Sequence, residues 1–209
     1  MTGTGAQDYL QRQEQRSRIS RQQILDAAVQ CLVRYGYAGA STVRIQELAG
    51  ISRGRLLHHY PSRDELLVGA VQHLAAGRVA ELRQEVGATI TADAAAYERI
   101  DQAIEQMWKN FDQPFFWASV ELWLAARHNQ TLREALHPAE RQLQNTIYET
   151  IEIMFGPVWA ARPLYRHTVD VLLSSMRGVS MTYGFDPREP AKDPHIAVWN
   201  DTARALLAG

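Results

Sequence analysis

The chain has 209 residues, 46% hydrophobic and 22% charged, a soluble globular composition with room for one large core or two smaller ones. No apolar run reaches the roughly 18 residues of a membrane span, and the polar start MTGTGAQDYLQRQEQRSR argues against a secretory signal. A single cysteine, Cys31, rules out an intramolecular disulfide and a cysteine-based metal cluster, and fits a reducing cytoplasm.

The net charge of −1 hides an asymmetry. Up to Arg63 there are nine arginines against four acids, and the remainder holds 13 basic and 19 acidic residues. A cationic amino-terminal part on an acidic body points to a polyanionic partner at one end only.

In chain order, residues 1–17 read as a flexible arm. Its stretch YLQRQEQRSR is a solvated tail, with an arginine arm following the minor groove as the alternative. Ser20 and Gln23 have the spacing of a capping box. Ile24, Ala27, Ala28, Cys31, Leu32 and Tyr35 then give one apolar helical face, ended by Gly36 and Gly39. A short second helix runs from Thr42 to Ala49 and is broken by Gly50. Ser52 caps a third, which Pro61 stops. Ser62 and Glu65 start a fourth helix over 63–86. Breaks further on predict five more, over 94–111, 115–128, 131–155, 163–183 and 194–207. The expected fold is therefore all-α, with about nine helices.

Two short helices joined by a glycine turn after a longer one make a helix-turn-helix, expected over 18–62. The second short helix fits a major groove, where arginine donates two bonds to guanine. Its outer face would carry Arg53, Arg55, His58 and His59 while Leu56 points inward. The alternative is an ordinary helical corner with a basic rim. The neighbouring histidines do not make a metal site, since adjacent helical residues face different directions, and no cofactor is expected.

The stretch RQQILDAAVQCLVRYGYAGASTVRIQELAGISRGRLLHHYPSRDELLVGAV, Arg21 to Val71, resembles the tetracycline-repressor (TetR) family of bacterial transcriptional regulators. The likeness lies in the order of features: the apolar helix ending at Gly36, then Thr42, Ile45, the Ala49-Gly50-Ile51-Ser52 turn, a short helix and PSRDELL. It implies that Thr42 caps the second helix and contacts phosphate, with Arg44, Ser52, Tyr60 and Arg63 also in the DNA-facing set. For Tyr60 the alternative is packing beneath the turn. The sequence departs from the family pattern at Gln46, Arg55, Leu57 and Arg63, where members usually carry Ala, a small residue, Tyr and Lys. Leu57 has no hydroxyl to offer a phosphate, so an altered base preference is expected, with Arg55 and the histidines compensating.

The resemblance further implies that residues 63–209 form a ligand-binding and dimerising body. MWKNFDQPFFWASVELWLAARH holds three of the five tryptophans, and aromatic walls with a few polar groups suit a small-molecule pocket. Trp108, Phe111, Phe115, Phe116, Trp117, Glu121 and Trp123 are the candidates, with simple core packing as the alternative. Glu121, if buried, needs a partner: Arg127, a pocket group or a cationic ligand; an exposed carboxylate is the simpler alternative. For dimerisation, small and apolar residues mix at Val171, Ser175, Gly178 and Val179, and a second stripe holds Ile196, Trp199 and Ala203. Burial within one subunit is the alternative; a palindromic operator on double-stranded DNA would require a homodimer. An enzyme is not expected, because nothing in the chain has the spacing of a nucleophile–base pair, paired carboxylates, HExxH or a phosphate loop.

Overall fold

Apolar residues three and four apart bury one face of the first helix, leaving Ile24, Ala28 and Leu32 with no exposure at all. That helix, α1 (Gly3–Gly39), starts well before the capping pattern in the computed structural model, which describes residues 3–208. Ser20 therefore caps nothing. It lies inside α1, 5% exposed, its hydroxyl without a hydrogen-bond partner among the described residues. The stretch expected as an arm has helical backbone from Gly3, continuous with α1, while Met1 and Thr2 lie outside the described residues. The run of Gln, Glu and Arg there consists of good helix formers, which override a single serine.

Gly36 kinks α1 with φ 65° and ψ 176°, a left-handed backbone that glycine adopts without steric cost. The next helix, α2 (Thr42–Ala49), is capped by Ser41, whose hydroxyl accepts from the Arg44 N–H at 3.3 Å. The cap thus falls one residue before the expected Thr42, because Ser41 holds the extended backbone a cap requires. Gly50, also left-handed at φ 65°, closes α2. Ser52 caps α3 (Arg53–His59) as predicted, accepting from the Arg55 N–H at 3.4 Å. Ser62 does the same for Glu65 at 3.1 Å, at the start of α4 (Arg63–Thr89).

The rest of the chain comprises α5 (Tyr97–Trp108), a 3-10 turn, α6 (Pro114–Ala126), α7 (Gln130–Ala160), α8 (Tyr165–Thr182) and α9 (His195–Ala208). Among the described residues there are nine α-helices and no strand. α5 starts later than predicted because Ala96 turns back onto the Asp93 carbonyl at 3.1 Å. The break predicted at Gly156 is present as a kink inside α7, where the backbone leaves the helical region at φ 79° and ψ 168°. The Arg99 guanidinium fills the kink, donating to the Phe155 carbonyl at 2.9 Å and the Ile153 carbonyl at 3.2 Å.

Packing gives two units. The first joins the chain up to Ala75 with Trp117–Arg141, around a core in which Leu66, Leu67 and Val71 of α4, Ala118 and Leu122 of α6, and Leu132 of α7 meet Leu32, Ile45 and Leu56. The second joins Ala76–Phe116 with Gln142–Gly209; there α5 and α8 pack on α9. The unit boundaries fall inside α4, α6 and α7, so the first unit is larger than the expected 18–62 segment. The physical reason is that α1–α3 alone offer too little apolar surface, and parts of three later helices complete their core.

Candidate functional site

Leu56, fully buried, anchors α3 to the core of the first unit and decides which side of this short helix is left to solvent. Arg53, Arg55 and His58 are exposed, and His59 is half-buried. The two imidazoles meet edge to face with centroids 5.4 Å apart. Burial, then the charges of His58, Arg21 and Arg55, hold the His59 pKa below its ordinary value. This face of the unit is a concentration of cationic and protonatable groups, placed where a polyanion can reach them.

The remaining DNA-facing candidates have more varied surroundings. Ser52 is exposed and Thr42 half-buried. Arg44 donates to the Gly39 carbonyl at 2.8 Å and lies 4.8 Å from the Tyr35 ring centroid. Leu57, 42% exposed, presents an apolar surface. Tyr60 is only 6% exposed, and its hydroxyl accepts from Arg21 Nε at 3.1 Å. Arg63 donates to the Ala40 carbonyl at 2.8 Å and to the Tyr37 carbonyl, and its guanidinium lies 4.2 Å from the Tyr37 ring centroid. Two of its five N–H donors are thus spent inside the unit.

These bonds belong to a junction that sequence reading missed. The Tyr37 N–H, freed by the Gly36 kink, donates to Glu121 Oε2 on α6 at 2.9 Å. The Tyr37 hydroxyl donates to Asp64 Oδ1 on α4 at 2.7 Å and accepts from Asn129 Nδ2 at 2.9 Å. Asn129 Oδ1 in turn accepts from the Leu132 N–H at 3.0 Å and caps the start of α7. Burial, together with the bond to Asp64, pushes the Tyr37 phenol up in pKa. Glu121 therefore has a partner, a backbone amide separated from it by 84 residues, which no sequence spacing reveals.

The candidates for a ligand pocket divide between the units. Trp108, Phe111, Phe115 and Phe116 belong to the second, and Trp117, Glu121 and Trp123 to the first. Within the second unit Trp108 is 3% exposed and hydrogen-bonded through Nε1 to the Pro190 carbonyl at 2.8 Å. It lies 4.9 Å from Trp199, centroid to centroid, and 6.0 Å from Phe111, while Phe111 meets Phe116 at 5.2 Å. Trp123 packs against the core of the first unit, and Phe115 and Trp117 are half-buried. Of the dimer candidates, Val171 is 51% exposed and Gly178 is exposed. Val179, Ile196 and Ser175 are half-buried, and Ser175 accepts from Trp199 Nε1 at 2.9 Å. Trp199 and Ala203 are buried within the second unit, so their side chains face the chain's own α5 and α8 side of α9 rather than solvent.

A capped, glycine-broken helix pair with arginines on the outer face of its second member is a helix-turn-helix. Residues 24–70 match the model described as bacterial regulatory proteins, tetR family. It is similar to the HTH-type transcriptional repressor AcnR of Corynebacterium glutamicum, 40% identical over 68 residues that cover 32% of this chain and 36% of that one. The likeness thus spans little more than a third of the length of that repressor. A TetR-family transcriptional regulator from Rhodococcus sp. shares the fold with a TM-score of 0.69 at 19% identity, over 90% of this chain and 98% of that one. The transcriptional regulator FadR from Bacillus subtilis, solved in complex with stearoyl-CoA, shares it with a TM-score of 0.58 at 16% identity, over 90% and 97%. Among the described residues no helix is long and apolar enough to cross a membrane, and no group of three His, Cys, Asp or Glu could hold a metal ion.

Proposed function

We propose that the protein is a homodimeric transcriptional repressor that binds a palindromic operator through α3 and is released by a small molecule held in its carboxy-terminal helices. The observation that carries this reading is the orientation of α3: Leu56 is buried while Arg53, Arg55 and His58 lie outside. Two such helices enter successive major grooves about 34 Å apart in a two-fold dimer. Arg55 and the histidines stand beside Leu57 and supply the polar contact that leucine lacks. Val171, Gly178 and the accessible part of the α9 stripe form the dimer surface.

An effector favours a form in which the two reading helices are wrongly spaced. Coupling of this kind is typically worth about 1–3 kcal/mol, and by linkage DNA weakens effector binding equally. α4 carries the change, since it starts beside the reading head and its residues run from the first unit into the second. The aromatic residues of the second unit, Trp108, Phe111, Phe115 and Phe116, make up the effector site, and the stearoyl-CoA bound by FadR illustrates that this fold accommodates small molecules.

A gel-shift titration of the purified protein against the DNA upstream of its own gene tests the reading. A discrete complex that Arg55→Ala weakens or redirects to other sequences is expected. No retardation of any duplex at low ionic strength would sink it, and so would a monomer in sedimentation.

A further inference from the structure

We propose that Arg21, on α1, is a DNA-phosphate contact of the reading head, held in position by the phenol of Tyr60. This rests on the DNA-binding reading above and adds a residue outside the helix-turn-helix pair. Tyr60 closes α3 and is the residue from which a backbone contact is expected, yet its ring is 6% exposed and part of the first unit's core. On α4, a methyl group at Gly69 would lie 3.5 Å from Tyr60 Cε1, so the ring packs close against the α4 backbone. What reaches solvent in its place is the group its hydroxyl holds.

Arg21 is exposed, its Nε donates to the Tyr60 hydroxyl at 3.1 Å, and its guanidinium carbon lies 5.9 Å from the Tyr60 ring centroid. One hydrogen bond and the ring face restrain a side chain that would otherwise lose much rotamer entropy on binding. The terminal N–H groups have no other partner among the described residues, and they are the pair that a phosphate accepts from. The charge of Arg21 acts on His59 together with that of Arg55, so all three belong to one electrostatic neighbourhood.

The contact would be to phosphate and not to a base, so any duplex reports it. The probe is a fluorescein-labelled duplex of mixed sequence, followed by anisotropy with the full-length protein across a salt series. Arg21→Ala is expected to weaken binding and to flatten the slope of log K against log salt by about 0.9 per protomer, one phosphate's worth of released counterions. Arg21→Lys should keep the slope while binding less tightly, because the charge remains and the fork is lost. Tyr60→Phe should keep the slope too and weaken binding through the freed arginine. Loss of fold does not imitate this pattern, since it lowers the active fraction and leaves the slope unchanged. An Arg21→Ala slope equal to wild type, with wild type binding normally, overturns the contact alone. Wild type that ignores the duplex overturns the DNA-binding reading and this proposal with it.

Discussion

Tyr37 is engaged at both backbone polar atoms, its hydroxyl and its ring: the N–H by Glu121, the carbonyl by Arg63, the hydroxyl by Asp64 and Asn129, the ring by Arg63. Gly36 makes this possible. A side chain there would strain a left-handed backbone, and its Cβ would stand 3.0 Å from Glu121 Oε2. Glu121→Ala should leave the Tyr37 N–H without an acceptor and cost about 1–3 kcal/mol, read as a lower urea midpoint, whereas Glu121→Gln keeps an acceptor and should cost less. Equal midpoints for all three proteins would mean that the carboxylate serves something other than the fold. From its place beside an apolar face, the sequence left Glu121 open between an exposed carboxylate and a buried one that needs a partner. The identity of that partner was not legible, because folding alone brings α1 and α6 together.

At the scale of elements, the joint between α8 and α9 depends on one buried carboxylate. Asp193 has no side-chain exposure, and it accepts from the Tyr183 hydroxyl and, at 2.8 Å, from the His195 N–H. Burial alone would raise its pKa, but the bonds from Tyr183 and His195 outweigh it and hold the group below the usual carboxylate range. Tyr183 is pushed the other way, to about 12, by burial and by the same bond. A lowered carboxyl pKa stabilises the fold above its unfolded value of about 3.9 and loses that contribution as pH falls through the folded one. Asp193→Asn should therefore be less stable than wild type at neutral pH, with the gap closing below about pH 4 in urea titrations. A gap independent of pH would show that shape, not charge, matters at this joint. Helix starts at Ser52 and Ser62 were legible, because a cap is a local bond between residues three apart. Ser20 was misleading for the same reason: local pattern cannot tell that helix formers upstream continue the helix past it.

For the whole molecule, the decisive question is what covers the exposed apolar residues of the last helices. Val171 and Val198 are more than half exposed, at 51% and 56%, while Trp199 and Ala203 on α9 are spent inside the second unit. If a second copy covers that surface, Val171→Asp should shift sedimentation from dimer to monomer and abolish discrete retardation of operator DNA, with helical content kept. A variant still dimeric would move the interface elsewhere.

By itself the sequence determined the helical class, the short helix pair with its glycine break, and the basic face on α3, all products of local periodicity, caps and residue type. Tertiary structure alone decided that α1–α3 borrow their core from parts of α4, α6 and α7, that Tyr37 is the junction among them, and that Tyr60 faces inward while holding Arg21. These depend on residues dozens of positions apart meeting in space, and apolar burial, which drives that meeting, is non-directional, so sequence spacing marks which face is buried but not against what.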